Sequence, residues 1–441
     1  MASFYHKCYR FGMPSRLIVE PSHLKGEILI PGSKSQTLRA LLFGALAGGE
    51  TRIDHPLFSN DSEAMVQACR KFGAQVVQGS DFYSVRGVCG DVSGASGTID
   101  AGNSGIVLRF CSAVGALASS PVHITGDHSI CNQRPMSPLI DALRQSQVEV
   151  ECLGKDGYAP LMIKGPLQRS QVCFSGKDSQ PVSALLIAGA FSKEGISFSV
   201  DNPGEKPWVQ LTLNWLDRLG ISYQAKDFTH YQVTGGNRIS GFHYTVPGDL
   251  STLAFPVVQA ILSGTELAIG NVDLEDGQGD KELFSLFTKM GADFKYDKEK
   301  KTLHVRKSMQ LKGVSVDING FIDALPILAV AACFAEGETR ILNASVAREK
   351  ECNRIAAVSM ELRKMGARIQ ETVDGLKIQG AQLKGAHLHS HHDHRMAMAL
   401  TVAAMNAEGV SEIESVECIG KTYPSFAFDW KKAGARLEIV E

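Results

Sequence analysis

Four short polar clusters, each followed by an apolar stretch, contain residue types that bind anions. They are Ser33-Lys34-Ser35, Asn103-Ser104-Gly105, Asp178-Ser179-Gln180 and Asp393-His394-Arg395. If each apolar stretch is a buried helix, the cluster lies at the helix N-terminus, where unpaired N–H groups and a partial positive charge favour negative ligands. The Gly-Ser-Lys-Ser run lacks the upstream glycine of a nucleotide-binding P-loop. The clusters therefore predict a site for a small anion.

A second group of residues combines cations with carboxylates at positions far apart in the chain. The cations are Arg109, Arg134, Arg354, Arg395 and Lys421, and the carboxylates are Asp323 and Glu351. Guanidinium groups suit planar carboxylates and phosphates, and each charge-assisted hydrogen bond contributes roughly 1.5–3 kcal/mol, so several are needed for a small ligand. Three structural alternatives stay open: Arg109 as an ion-pair partner, Asp323 as a helix N-cap, and Glu351 as part of a solvated helix face.

The composition is typical of a cytoplasmic globular protein with more than one domain. The chain has 441 residues, 44% of them hydrophobic and 21% charged, and a formal net charge of −2. Nucleic-acid and membrane-surface proteins usually carry a basic excess, so neither partner is expected. The longest apolar run, at 325–335, is too short to cross a bilayer, and the first twenty residues lack the apolar segment of a secretory signal. Ten cysteines without a CxxC pair indicate reduced thiols.

One sequence unit recurs six times, as an amphipathic helix that closes on glycine and continues into a strand. The copies lie at 69–76, 143–150, 216–223, 287–294, 362–369 and from 432 onward. The copy at 143–150 carries Gln147 where the others carry glycine. A left-handed residue is expected at each such helix end.

The apolar helices also recur, with openings near Pro31, Asn103, Ser179, Pro247, Asp323 and Asp393 at intervals of about 72 residues. Alternating strands and helices predict an α/β protein. The two Pro-Gly turns predict a pair of hinges near 31–33 and 246–249. They separate a lobe at 33–247 from a lobe made of 1–32 and 248–441, with three units each. Charged residues from both lobes are expected to converge in one crevice.

Eight motifs in this order resemble the 3-phosphoshikimate 1-carboxyvinyltransferase (EPSP synthase) family. The motifs are PGSKSQTLRALL, GNSGIVLR, RPM, DSQ, FIDALP, REKECNR, DHRMAMA and GKTYPSF, and they span the chain from Pro31 to Phe426. The resemblance implies an inside-out α/β barrel in each lobe, with buried parallel helices. It also implies transfer of an enolpyruvyl group from phosphoenolpyruvate to the 5-hydroxyl of 3-phosphoshikimate, by addition and then elimination.

The resemblance assigns roles to matching positions. The implied catalytic residues are Lys34, Asp323, Glu351 and Lys421. The implied 3-phosphoshikimate contacts are Lys34, Ser35, Arg39, Ser179, Gln180, Asp323 and Lys350. The implied phosphoenolpyruvate contacts are Lys34, Asn103, Gly105, Arg134, Gln180, Arg354, Arg395 and Lys421. No cofactor and no metal is implied, and the expected partners are small-molecule substrates of a monomer.

Two carboxylates depart from the family pattern. Asp178 and Glu205 stand where many relatives have serines that contact the substrate phosphate. An unpaired carboxylate about 4 Å from a phosphate costs roughly 4 kcal/mol at an effective dielectric constant near 20. Either both side chains turn away, toward Lys177 and Lys206, or the substrate differs, and we favour the first alternative.

Three other interpretations of the sequence are less favoured. The sister enzyme that acts on UDP-N-acetylglucosamine uses a loop cysteine five residues before an Arg-Pro pair, whereas Cys131 lies three residues before Arg134. A non-catalytic relative is expected to have lost its acid and base groups, which are present here. The histidines from His387 to His394 permit a metal site, but the family motif accounts for the last of them without one.

Overall fold

The computed structural model describes residues 15–92, 97–168, 171–307 and 310–440. These residues form two compact units. The first contains the residues up to Gly32 and those from Pro247 onward, and the second is Ser33–Val246. Most of the segment in which no secretory signal is expected lies outside the described residues.

The second unit contains three four-stranded sheets. In spatial order, their strands are His243–Thr245, Gly48–Asp54, Phe82–Val88 and Gln75–Gln78; Gly97–Asp100, Val122–Thr125, Leu161–Lys164 and Glu149–Cys152; and Gln171–Ser175, Ile196–Asp201, His230–Val233 and Tyr223–Lys226. The first unit also contains three. Their strands are His387–His389, Ser411–Glu414, Arg16–Val19 and Leu437–Val440; Phe294–Asp297, Thr302–Val305, Leu267–Gly270 and Gly26–Leu29; and Ser315–Asp317, Glu338–Leu342, Leu376–Gln379 and Arg368–Glu371.

All six sheets share one topology. Each has one parallel pair at an edge, followed by two antiparallel pairs. A parallel pair requires a crossover connection, which is usually a helix, whereas an antiparallel pair needs only a tight turn. The predicted α/β class, with three repeated units in each half of the protein, is confirmed.

The strands before the two Pro-Gly turns explain why the first unit is discontinuous. Gly26–Leu29 pairs in parallel with Leu267–Gly270, more than two hundred residues later in the chain. His243–Thr245 pairs in parallel with Gly48–Asp54 in the same way. Each strand therefore completes the sheet of a distant repeat. Arg16–Val19 likewise completes the last repeat, because it pairs with strands on both sides.

Each repeat has one buried helix. These helices are Lys34–Leu46, Gly105–Gly115 and Ser179–Phe191 in the second unit, and Leu250–Ser263, Leu325–Cys333 and His394–Met405 in the first. Almost all of their residues are buried, because they are apolar around the whole circumference rather than along one stripe. The three buried helices of the first unit contact one another, so its core lies at its centre.

A second helix of each repeat is amphipathic. These helices are Asn60–Lys71, Ser137–Gln145, Lys206–Arg218, Glu282–Met290, Arg354–Lys364 and Phe426–Lys432, and the shorter His128–Asn132 precedes one of them. The predicted left-handed residue follows each one: the five glycines have φ between 68° and 113°, and Gln147 has φ 62°. The 3₁₀ helices are Gly279–Lys281, Asn319–Ala324, Ser345–Glu349 and Val416–Lys421.

Across the described ranges, no helix is both long enough and apolar enough to span a bilayer. The cysteines in these ranges are all free.

Candidate active site

The first buried helix of the second unit presents Lys34, Ser35 and Arg39. Lys34 Nζ lies 3.6 Å from Asp61 Oδ2, and both residues are buried. Arg39 donates from Nε and Nη2 to Thr212 Oγ1 at 3.1 and 3.0 Å. Its Nη1 donates to the main-chain oxygen of Ser35 at 3.2 Å. These contacts hold two cations in fixed positions on the first two turns of one helix.

The next buried helix brings five predicted residues together around a glycine. A Cβ atom at Gly105 would lie 2.9 Å from Nη1 of Arg109, 2.9 Å from Nη1 of Arg134 and 3.1 Å from Oε1 of Gln180. Arg134 Nη2 donates to Asn103 Oδ1 at 3.1 Å. A side chain at this position would shift the guanidinium groups of Arg109 and Arg134 from the positions they hold here. The structure brings Asn103, Gly105, Arg134 and Gln180 together, and their contact with phosphoenolpyruvate stays a prediction.

Arg109 has the contacts of a structural ion-pair residue. Its Nη1 donates to Gln180 Oε1 at 3.1 Å, and its Nη2 donates to the main-chain oxygen of Pro135 at 3.0 Å and lies 3.3 Å from Asp178 Oδ2. These contacts favour the structural alternative for Arg109, which orients Gln180.

Asp178 and Glu205 both contact the start of the buried helix Ser179–Phe191. Asp178 Oδ1 accepts a hydrogen bond from the Gln180 N–H at 2.9 Å, so it caps the helix while its second oxygen approaches Arg109. Glu205 Oε2 accepts from both the N–H and the Oγ of Ser179 at 3.1 Å. Both carboxylates therefore accept hydrogen bonds from N–H groups at the start of the helix Ser179–Phe191, which lack partners within the helix. The expected turn toward Lys177 and Lys206 stays a prediction.

Glu205 is held in this position by its backbone. It has φ 45° and ψ 38°, a left-handed conformation, and its side chain is buried. This conformation costs a residue other than glycine roughly 1–2 kcal/mol. The surrounding structure must therefore fix Glu205 against Ser179.

The first unit places the remaining charged residues around one buried guanidinium. Arg354 Nη1 lies 2.7 Å from Asp323 Oδ1, Nη2 lies 2.8 Å from Glu351 Oε2, and Nε lies 2.7 Å from Asp393 Oδ2. The Arg354 side chain is only 1% exposed. One arginine at the start of the helix Arg354–Lys364 thus binds three carboxylates at once.

Two more cations complete this cluster. Arg395 Nη2 lies 2.9 Å from Asp323 Oδ2, and Lys421 Nζ lies 2.9 Å from Glu351 Oε1. Arg395 is in the first turn of the buried helix His394–Met405, and Lys421 ends the 3₁₀ helix Val416–Lys421. Glu351 is therefore not part of a solvated helix face, and we call Asp323, Glu351, Arg354, Arg395 and Lys421 the carboxylate cluster.

Asp323 lies two residues before the buried helix Leu325–Cys333, which the sequence predicted to open near it. It lies in the 3₁₀ helix Asn319–Ala324, and Ala324 is the N-cap residue of Leu325–Cys333. Its carboxylate instead bridges Arg354 and Arg395. The N-cap alternative is wrong because two guanidinium groups are stronger partners than helix N–H groups.

The charges of the carboxylate cluster stabilise one another. Burial alone would raise the pKa of Asp323, but Arg395, Arg354 and Lys350 outweigh it and hold that pKa well below its usual range. Burial opposes the charge of Arg354, yet Asp393, Glu351 and Asp323 raise its pKa well above the ordinary value. Asp323 is thus an ionised carboxylate that two arginines stabilise.

Three further residues support these groups, and the sequence analysis missed two of them, Asp61 and Asp280. Asp61 faces Lys34, and Asp393 anchors Arg354 and also caps its own helix through the Arg395 N–H at 2.8 Å. Asp280 lies close enough to Asp323 that the charge of Asp323 raises the pKa of Asp280. Asp393 was visible as a helix start, but nothing local in the sequence identifies the partners of Asp61 or Asp280.

The histidine run makes hydrogen bonds with protein groups. His391 Nε2 lies 2.9 Å from Glu361 Oε1, and His389 Nε2 lies 3.1 Å from Ser415 Oγ. Within the described ranges, no group of three or more His, Cys, Asp or Glu side chains is placed to hold a metal ion.

Known proteins match this chain over nearly its full length. The family model described as EPSP synthase (3-phosphoshikimate 1-carboxyvinyltransferase) matches residues 18–430. A 3-phosphoshikimate 1-carboxyvinyltransferase of Chlamydia caviae is 42% identical over 411 residues, covering 92% of this chain and 91% of the relative. The protein of that name from Acetivibrio thermocellus is 40% identical, covering 96% of this chain and all of the relative.

A solved structure supports the same assignment. EPSP synthase from Acinetobacter baumannii superimposes with a TM-score of 0.80 at 26% identity, and the match covers 97% of this chain and all of that one. Sequence and fold agree over both units. The chain belongs to the EPSP synthase family.

Proposed function

We propose that this protein transfers the enolpyruvyl group of phosphoenolpyruvate to the 5-hydroxyl of 3-phosphoshikimate. The products are 5-enolpyruvylshikimate 3-phosphate and phosphate, and the step serves aromatic amino acid biosynthesis. Family membership and the names of the relatives support the reaction. The observation that carries the assignment of residues is the carboxylate cluster, in which Arg354 binds both Asp323 and Glu351.

Asp323 is the proposed base for the 5-hydroxyl. Attack of this hydroxyl oxygen on C2 of phosphoenolpyruvate requires loss of its proton, and a carboxylate is a suitable acceptor. A base that two arginines stabilise is weak, because their charges hold its pKa well below the usual range. An anionic substrate that binds Arg395 or Arg354 would compete with Asp323 for the guanidinium groups and make the carboxylate more basic.

Glu351 and Lys421 are proposed to move the proton at C3. Their side chains are 2.9 Å apart and each is 8% exposed. During addition, C3 gains a proton as the C2–O bond forms, and during elimination the methyl group loses a proton as the C–O bond to phosphate breaks. A lysine beside a carboxylate supplies one donor and one acceptor for these two opposite transfers. Positive charge from Lys421 also stabilises the leaving phosphate.

The second unit is proposed to bind and orient the substrates. Lys34, Ser35 and Arg39 project from one helix start, and Asn103, Gly105, Arg134 and Gln180 surround a second. Helix N-termini and guanidinium groups together favour phosphate and carboxylate groups. Arg39 and Arg134 are held by oxygen atoms of Thr212 and Asn103, so their geometry is set before a ligand arrives.

The sister reaction on UDP-N-acetylglucosamine is the second candidate, and the position of Cys131 argues against it. Cys131 lies in the short helix His128–Asn132, and its Sγ is 3.4 Å from the main-chain oxygen of Gly126, which precedes the helix. The sister enzyme uses a loop cysteine, whereas Cys131 lies within a helix. We further propose a cytoplasmic monomer with small-molecule substrates and no nucleic-acid partner.

One assay tests the function. Phosphate release from phosphoenolpyruvate is measured with 3-phosphoshikimate, with UDP-N-acetylglucosamine and with neither. We expect release only with 3-phosphoshikimate, at least about a hundredfold slower for Asp323→Asn, since general base catalysis contributes that much. Cys131→Ser is the matched control and should turn over normally. Release with the sugar nucleotide alone would contradict the proposal.

A further inference from the structure

Asp280 is a buried carboxyl group to which the proposed reaction gives no role. It lies in the 3₁₀ helix Gly279–Lys281 and is 0% exposed. Its Oδ2 makes a short hydrogen bond with Ser251 Oγ, at the start of the buried helix Leu250–Ser263. Its Oδ1 is buried and has no hydrogen-bond partner among the described residues. A buried polar atom without a hydrogen bond destabilises the folded state by roughly 1–3 kcal/mol, so the presence of a carboxyl group at this position needs an explanation.

Arg395 offers a matching donor. Its Nη2 binds Asp323 Oδ2 at 2.9 Å, whereas its Nε is buried and has no hydrogen-bond partner among the described residues. The charges of Arg395 and Asp280 act on each other. A donor and an acceptor thus lie unused in the same buried region, beside the proposed base.

The charged groups that act most strongly on Asp280 come from neighbouring elements. Asp323 faces it from the 3₁₀ helix Asn319–Ala324, Arg395 from the helix His394–Met405, and Asp249 from the N-cap of Leu250–Ser263. Lys281 and Glu282, the charged neighbours on its own segment, are exposed. Burial, followed by the charge of Asp323, raises the pKa of Asp280 to about 7. The group therefore changes charge in the range where a biosynthetic enzyme works.

We propose that Asp280 is a positioning residue that divides Arg395 between itself and Asp323, and so sets the basicity of Asp323. This inference rests on the proposed role of Asp323 as the base for the 5-hydroxyl. When Asp280 is neutral, Arg395 is committed to Asp323, which is then a weak base. When Asp280 loses its proton to solvent, its carboxylate attracts the Arg395 guanidinium and repels the charge on Asp323. Both changes make Asp323 a stronger base.

The pH dependence of kcat tests this division. In the unaltered enzyme, saturated with both substrates, kcat should rise by about tenfold between pH 5.5 and pH 8.5, since one unit of basicity is worth at most a factor of ten. Asp280→Asn keeps the shape of the neutral acid but cannot ionise. We expect this variant to retain the low-pH kcat and to lose the rise, with KM for both substrates changed by less than about twofold. A rise that persists in Asp280→Asn would overturn the proposal, and so would loss of the low-pH activity in a folded variant.

Ser251→Ala provides a second, independent variant outside the substrate-contacting residues. The hydrogen bond from Ser251 favours the ionised form of Asp280 and lowers its pKa against the effect of burial. Its removal should move the rise in kcat to higher pH while leaving the plateau rate unchanged. An unmoved midpoint would contradict the proposal.

Failure of the proposed function gives a different pattern. If Asp323 is not the base, Asp323→Asn retains turnover, whatever Asp280→Asn does. If Asp323 is the base but Asp280 does not tune it, Asp323→Asn is inactive while Asp280→Asn follows the unaltered pH profile.

Discussion

The two units share one topology but hold their charged residues in different ways. In the first unit, Arg354 binds three carboxylates, and two more cations bind the same acids. In the second unit, Arg39 is held by Thr212 Oγ1 and main-chain oxygens, and Arg134 by the side-chain oxygens of Asn103 and Ser129. Arg354 and Arg395 lie in the first turn of a helix, and Asn103 lies directly before the N-cap residue of another. The repeated unit therefore determines where the charged side chains lie, and the residues around each one determine whether it pairs with a carboxylate or with a neutral oxygen.

This contrast separates two tasks. Neutral acceptors orient a guanidinium without adding negative charge, which suits the binding of anionic substrates. Carboxylates that share arginines are kept ionised in a buried place, which suits proton transfer. The second unit also has acids: Asp61 pairs with Lys34, and Asp178 caps a helix beside Arg109. Its Glu205 accepts hydrogen bonds from Ser179. Four predictions test this difference between the two units.

The largest expected effect is on stability when the central arginine is removed. Arg354→Met leaves three buried carboxylates without their shared partner and should lower the free energy of unfolding by about 3–5 kcal/mol. Arg39→Met, the matched change in the second unit, removes hydrogen bonds to neutral groups and should cost only about 1–2 kcal/mol. Urea unfolding of both variants measures the difference. Equal losses would mean that the units do not differ in this respect.

The second effect is a gain in stability. Asp280 has a raised pKa, near 7 when folded and near its ordinary value of 3.8 when unfolded. Its contribution to stability is therefore fully present below pH 3.8, is lost as pH rises toward 7, and stays lost above that. Asp280→Asn should stabilise the protein by about 2–4 kcal/mol at pH 8 and by less at pH 5.

A control carboxylate checks the sign of that effect. Asp273 is buried in part, but Lys301 and the N–H of Glu275 hold its pKa below the ordinary value. Asp273→Asn should therefore give no gain at pH 8. Thermal melts of both variants at the two pH values are the measurement, and a gain for Asp280→Asn that does not grow with pH would contradict the prediction.

A third, smaller effect concerns the helix ends. Gln147 in the second unit takes a left-handed conformation that glycine takes at the five equivalent positions. Gln147→Gly should stabilise the protein by about 1 kcal/mol, because a side chain is strained at this φ. Gly366→Ala is the matched change in the first unit and should cost a similar amount. Urea unfolding should show these opposite signs, and a loss of stability in Gln147→Gly would show that its side chain makes compensating contacts.

The smallest effect is expected at Asp178. Serine keeps a helix-capping oxygen but loses the 3.3 Å ion pair with Arg109. Asp178→Ser should therefore keep kcat/KM for 3-phosphoshikimate within about threefold of the unaltered enzyme and lower stability by less than about 1 kcal/mol. Steady-state kinetics decides the matter. A large change in kcat/KM, in either direction, would show that this carboxylate meets the substrate.

Much of the fold was open to prediction because its signals are local and repeated. Helices commonly end in a residue with a left-handed conformation, which is usually glycine. Glycines such as Gly291 and Gly366 therefore predict the end of the helix in each repeated unit. The polar helix starts, such as Ser104 and Asp178, were likewise readable because capping involves residues two or three positions apart. Each of these patterns is weak by itself, but its recurrence in six copies predicts the repeated unit strongly.

Pairing across long distances was decided only by the tertiary structure. Gly26–Leu29 reads as an ordinary strand, yet its partner is Leu267–Gly270, and no local pattern specifies that choice. The partners of charged groups are of the same kind: Lys34 with Asp61, Glu205 with Ser179, and Asp280 with Ser251. The amino-acid sequence by itself determined the repeat, the helix starts and, through its motifs, the family. Which carboxylate meets which cation depends on the folded chain, because electrostatic energies follow distance and burial rather than separation in sequence.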